Sequence, residues 1–146
     1  MTAEALLAYV HILCILATAT FLASEAALCR AEWMTAAVVE RLARLNGYYG
    51  LCALALVASG LARTWWGFKG AEWYWSQPLL YAKLALFLAV GLLSIAPTRR
   101  FLRWRKALRA TGALPTEAQV RSTRRLVMIE AHLIAVIPLL AVFLAR

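Results

Sequence analysis

Read for hydrophobic and polar positions, the chain resolves into four apolar stretches separated by short polar or aromatic segments. A membrane-spanning helix needs about 20 mainly apolar residues. The first candidate runs from about Ala5 to Leu28, the second from about Leu45 to Ala62, the third from about Leu79 to Ile95 and the fourth from about Leu126 to Leu144. Pro78 suits the first turn of the third span, where its missing N–H has no partner to lose. Pro97 is expected to end that span, since a proline cannot continue the hydrogen-bond ladder, and Pro138 is expected to kink the fourth. The expected fold class is all-α, an integral membrane four-helix bundle forming a single domain over residues 1–146.

Composition supports the bilayer as solvent. Of the 146 residues, 64% are hydrophobic and 16% charged, against roughly 45–50% and about 25% in soluble domains. The N-terminal stretch has no basic segment before it, and Ile12-Leu13-Cys14 lacks the small residues of a lipoprotein cleavage site, so it reads as a retained span. Cys14, Cys29 and Cys52 are odd in number and without C-x-x-C spacing, which argues against a disulfide framework or a thiolate metal site. They read as small apolar fillers.

The net charge is +9, and its distribution orients the chain. Arg30, Arg41 and Arg44 flank the first connection; Arg99, Arg100, Arg103, Arg105, Lys106, Arg109, Arg121, Arg124 and Arg125 flank the third; the second holds Lys69, with Arg63 at its border. The positive-inside rule makes the first and third connections cytoplasmic and puts both termini outside. The expected location is the bacterial inner membrane, as a multi-pass protein. The expected partners are membrane lipids, whose anionic headgroups meet the basic loop, with no nucleic acid and a possible homo-oligomer through small residues such as Ala19, Ala23, Ala27, Ala55 and Ser59.

Residues 64–75 carry four of the six tryptophans. They read either as an aromatic belt at the membrane interface or as a lid over a ligand that enters from the outer face. From Arg99 to Arg109, Phe101, Leu102, Trp104 and Leu108 alternate with basic residues, the pattern of an amphipathic interfacial helix.

Ionisable and polar groups inside hydrocarbon are costly, so each is a candidate for function. At 100° per residue, His11, Cys14, Thr18 and Glu25 fall within about 60° of one another, a polar stripe about 21 Å long that must face the bundle interior. Depth sorts the candidates into two groups. His11, Arg63 and Lys83 belong to the outer third; Glu25, Asn46, Glu130 and His132 belong to the inner third. In the outer group a neutral imidazole in a dry bundle suits the iron of haem b, making His11 the candidate metal ligand, with Arg63 and Lys83 pairing with porphyrin carboxylates. The competing reading is that His11 hydrogen-bonds across helices and Lys83 snorkels outward, leaving no ligand at all. In the inner group, ion pairing of Glu25 and Glu130 with Arg44, Arg124 or Arg125 competes with a divalent metal site or a proton relay. Glu130 and His132 lie about 200° apart around a helix and do not converge on one centre. No hydrolase or phosphate-loop motif is present, and no catalytic residue is assigned.

Gly60-Leu61-Ala62-Arg63, Gly67-Phe68-Lys69-Gly70, Tyr81-Ala82-Lys83, the run from Gly91 to Thr98, Phe101-Leu102-Arg103-Trp104-Arg105 and Ile137-Pro138-Leu139-Leu140 resemble a family of small four-span bacterial membrane proteins of unknown function, over nearly the whole chain. More remotely, His11 and Lys83 resemble the pattern of HemJ-type protoporphyrinogen oxidases. That likeness implies haem at His11 and porphyrin or quinone redox chemistry. The HemJ-type pattern has an arginine near the end of span one; here Glu25 stands two positions before that place. The expected function is therefore a haem-, porphyrin- or quinone-linked redox protein, the alternative being a non-enzymatic membrane subunit or a small proton or ion transporter.

Overall fold

A computed structural model describes residues 2–145, with side chains described to residue 143. Four long helices make up most of it: α1 (Thr2–Leu28), α2 (Ala36–Trp66), α4 (Pro78–Thr111) and α5 (Glu117–Ala145), with a short α3 (Ala71–Trp75) between α2 and α4 and one 3₁₀ turn, Ala31–Trp33. All four long helices are apolar enough to cross a membrane, with mean hydropathy of 2.2, 1.4, 2.2 and 2.4 over their best windows. The second value is lowest because α2 carries Asn46, Gly47, Tyr48, Tyr49 and Gly50.

Helix ends follow local chemistry. Thr35 caps α2, its hydroxyl accepting from the Val38 N–H at 3.3 Å. Pro78 opens α4, and Gly112, at φ 72°, closes it by donating its N–H to the Leu108 carbonyl at 2.8 Å. That left-handed conformation is strained for any residue with a Cβ. A capping box starts α5: the Gln119 N–H donates to the Thr116 hydroxyl at 3.3 Å, and the Thr116 N–H donates to the Gln119 side chain at 3.0 Å.

The helices pack in the ring order α1, α2, α4, α5. Paired residues on α1 and on α2 or just beyond it run in opposite directions, Glu4 with Phe68, His11 with Ser59 and Glu25 with Asn46, which makes these neighbours antiparallel. The bundle thus has an N-terminal end, closed by residues 67–77, and a basic end, closed by residues 29–35 and 112–116.

The chain is turned inside out relative to a soluble bundle. Leu6, Leu13, Leu16, Leu51, Leu54, Leu88, Leu92 and Leu139 are exposed, while Thr18, Glu25, Asn46, Ser59, Thr64, Thr123 and Glu130 are buried. Lipid solvates the first set, and only the interior can satisfy the second.

Two expectations need correction. Pro97 does not end its helix: α4 runs through it for 34 residues, about 51 Å at 1.5 Å per residue, well beyond the roughly 30 Å hydrocarbon core. Pro97 is itself buried, and a spanning-type helix tolerates a proline where neighbouring helices surround it. Residues 99–109 continue as helix, as their pattern implies, but not as a separate interfacial helix. They are the end of α4, and Phe101 and Trp104 point inward, 0% and 5% exposed, against a cluster that includes Leu22, Cys29, Val39, Leu42, Tyr49, Val120 and Val127. The packed core therefore sits at the basic end of the bundle.

Candidate functional site

At the N-terminal end the helices enclose a cavity of about 550 Å³, within the range of small-molecule and cofactor sites. His11 and Thr18 enter it from α1, Gly60, Arg63 and Thr64 from α2, Lys83 and Phe87 from α4, and Ile134 and Pro138 from α5; Lys69, Trp73 and Tyr74 close its outer side. Its wall is mainly aliphatic and aromatic, with the cations gathered towards the helix ends. His11, Arg63 and Lys83, assigned from sequence to one depth, thus line one space.

His11 is held from one side. Its Nδ1 lies 2.8 Å from the Ser59 hydroxyl, which gives its own proton to the Leu56 carbonyl at 3.1 Å and so accepts from the imidazole. This is the hydrogen bond across helices that belongs to the competing, ligand-free reading of His11. A Cβ on Gly60 would stand 3.1 Å from the imidazole Cε1, so the absence of a side chain there makes room for the ring. With Nδ1 engaged, Nε2 is the nitrogen left for another partner, the arrangement common among metal-bound histidines.

The aromatic segment does more than mark an interface. The Phe68 N–H donates to Glu4 at 3.2 Å, tying the segment to α1. Lys69 Nζ lies 3.9 Å from the centre of the Trp73 ring. Trp65 packs against Trp75, and Trp75 against Tyr81, at centroid distances of 5.4 and 6.2 Å. Trp66 and Phe68 stay exposed, as an interface belt requires, while Trp73 and Tyr74 border the cavity.

At the basic end Glu25 and Glu130 are each 1% exposed. Their partners are neutral: Asn46 Nδ2 donates to Glu25 Oε1 at 3.1 Å, and the Tyr49 hydroxyl donates to Glu130 Oε2 at 3.2 Å. The expected pairing with arginines is not found among the described residues. Arg124 instead donates to the Ala26 carbonyl at 3.3 Å. His132 turns to the exposed side of α5 with its Nδ1 2.6 Å from the Met128 carbonyl, so it does not join Glu130. No group of three metal-ligating side chains occurs among the described residues.

Cys29 is fully buried, its Sγ 3.8 Å from the Val120 carbonyl, and burial pushes its thiol up to about 12. It packs as an apolar filler, as read from the sequence. Ala19, Ala23, Ala27 and Ala55 face outward and do not serve packing within the bundle.

A family model matches residues 3–146 and describes a predicted membrane protein, DUF2214. The chain belongs to the DUF2214 family. The match covers nearly the whole chain and agrees with four long apolar helices, making this DUF2214 member an integral multi-pass membrane protein. No curated protein and no solved structure matches it. The likeness to HemJ-type enzymes therefore rests on His11 and Lys83 alone.

Proposed function

We propose that the cavity at the N-terminal end binds haem b or a closely related porphyrin, with His11 Nε2 as the iron ligand and Arg63 and Lys83 pairing with the carboxylates. What supports this reading above all is that a single apolar cavity of about 550 Å³ gathers an imidazole and these two cations. Ser59 orients the imidazole, and Gly60 leaves it space. An amphiphilic dianion matches such a site at both ends: its ring replaces apolar packing, and its carboxylates answer two cations that are otherwise costly at this depth. A neutral quinone would fill the apolar part but leave both cations without an anion, so the charge favours the porphyrin.

Bound haem would supply one-electron redox chemistry. The protein's part is to hold it. His11 is the one histidine lining the cavity among the described residues and would be the imidazole that holds the iron. Trp73 and Tyr74 cover the outer side and limit water. With the basic end cytoplasmic by the positive-inside rule, the cavity lies towards the outer face of the inner membrane. A shallower groove of about 440 Å³ among Leu102, Arg105, Lys106 and Arg109 then meets the anionic headgroups of the inner leaflet.

The test is the visible spectrum of protein purified in mild detergent after expression with adequate haem. The expected result is a Soret band that shifts on dithionite reduction and is absent in His11→Ala, with weaker haem retention in the Arg63→Gln, Lys83→Gln double variant. A stable wild-type protein with a featureless spectrum and no haem uptake would overturn the reading and favour a non-enzymatic subunit or transporter.

A further inference from the structure

The second polar group is independent of the cavity and of whatever binds there. Thr18 borders the cavity and lies two turns, about 10 Å, from Glu25, with the fully buried Leu22 between them. Beyond that plug, Asn46 and Tyr49 stand three residues apart on one face of α2 and receive Glu25 from α1 and Glu130 from α5. Two carboxyl groups thus meet one strip of α2, and Glu130 Oε1 is buried with no protein partner.

No element packed here brings in a neutralising cation among the described residues. On α5, Arg124 is engaged by the Ala26 carbonyl and His132 by the Met128 carbonyl. On α4, Arg100 donates to Ser122 and Thr123 at 3.0 and 3.1 Å, and the residues facing the core are Phe101 and Trp104. On α2, Glu40 takes Arg109 at the exposed rim. Near α1, Cys29 is a buried thiol. One amide and one phenol donor cannot offset the desolvation of two anions, and a carboxyl so placed is neutralised by binding a proton.

We propose that Glu25 and Glu130 form a buried proton-binding site, holding at least one exchangeable proton between them at neutral pH. Proton uptake places an O–H where no cation reaches and removes the like-charge conflict across the Asn46–Tyr49 strip. The site is of the kind used to carry protons within membrane bundles.

The composition makes the test clean. All seven acidic residues are glutamates, and Glu4, Glu32, Glu40, Glu72 and Glu117 lie at helix ends or in connections. The experiment is infrared spectroscopy of protein in lipid nanodiscs, unlabelled and with ¹³C-glutamate, in H₂O and D₂O at neutral pH and without added haem. The expected result is a protonated-carboxyl C=O band that shifts with ¹³C and in D₂O, is reduced or lost in Glu25→Gln and in Glu130→Gln, and is unchanged in Glu32→Gln. Carboxylate bands alone in the wild-type protein would overturn the proposal even if neither core variant folded. So would carboxylate bands that move on adding sodium or a divalent cation, which would make this a cation site, or a carboxyl band untouched by both core substitutions.

Discussion

At the N-terminal end of the bundle, His11, Arg63 and Lys83 border a cavity of about 550 Å³; at the basic end, Glu25, Asn46, Tyr49 and Glu130 are enclosed by a packed core built on Phe101, Trp104, Val120 and Val127. The same polar stripe of α1 feeds both. The contrast comes from the solvent around each end. Around Phe101, Trp104 and Val120 the flanking sequence is as polar as in a soluble helix, and water drives the apolar faces together so that the aromatic side chains of α4 fill the centre. Within the hydrocarbon region, lipid is as good a partner for leucine as another helix is, so nothing forces the interior closed and space persists around His11. The basic end thus supplies stability, and the N-terminal end is left to hold something.

The largest effect expected from this division is at Phe101, which is 0% exposed. Phe101→Ala should destabilise the protein by about 3–5 kcal/mol, as large-to-small changes in packed cores do. It should be read as a lowered thermal midpoint in mild detergent with haem uptake by the remaining folded protein unchanged. A loss of haem uptake without loss of stability would break the separation of the two ends.

Sequence patterning made the four spans legible because lipid demands long apolar runs, and it made the two depth groups legible because polar residues inside such runs are few. What it missed lies in the polar parts of the long helices. Residues 36–44, 98–111 and 117–125 are as polar as ordinary soluble helices, so hydropathy alone leaves them out of the helices α2, α4 and α5 that contain them. The capping box at Thr116 and Gln119 and the glycine stop at Gly112 were the local signals that marked the true helix ends. Pro97 misled because the rule against interior prolines assumes that the freed carbonyl has no other partner. At the candidate site, His11 with Ser59 was hidden by a separation of 48 residues. The neutral partners of Glu25 and Glu130 were hidden because abundant nearby arginines suggested ion pairs, whereas depth kept those arginines at the rim.

An intermediate effect is expected at Gly60. A Cβ there would press on the His11 ring at 3.1 Å, tilting it away from Ser59. Gly60→Ala should weaken haem uptake by about tenfold, or about 1.4 kcal/mol. The thermal midpoint of the haem-free protein should hold or rise, since alanine in a helix interior is favoured over glycine by roughly 0.5–1 kcal/mol. Gly91→Ala is the control, because a Cβ at that position meets nothing within 4 Å. Equal haem titration curves for both variants would show that the orientation of the His11 ring does not govern binding.

The smallest effect is expected at the most conspicuous polar contact of the basic end. Arg109 donates to both oxygens of Glu40 at 2.8 and 2.9 Å, joining α4 to α2, and the pair holds the Glu40 carboxyl and the Arg109 guanidinium at the exposed rim. Water and salt screen such a pair, and fixing two long side chains costs entropy that offsets much of its attraction. Glu40→Gln should therefore leave the thermal midpoint without a measurable shift, at low and at high salt alike, while Phe101→Ala in the packed core lowers it strongly. A drop in Glu40→Gln comparable to that in Phe101→Ala, and erased by salt in the wild-type protein, would mean that charge pairing rather than apolar burial closes the basic end, and the account of why the cavity sits at the opposite end would lose its physical basis.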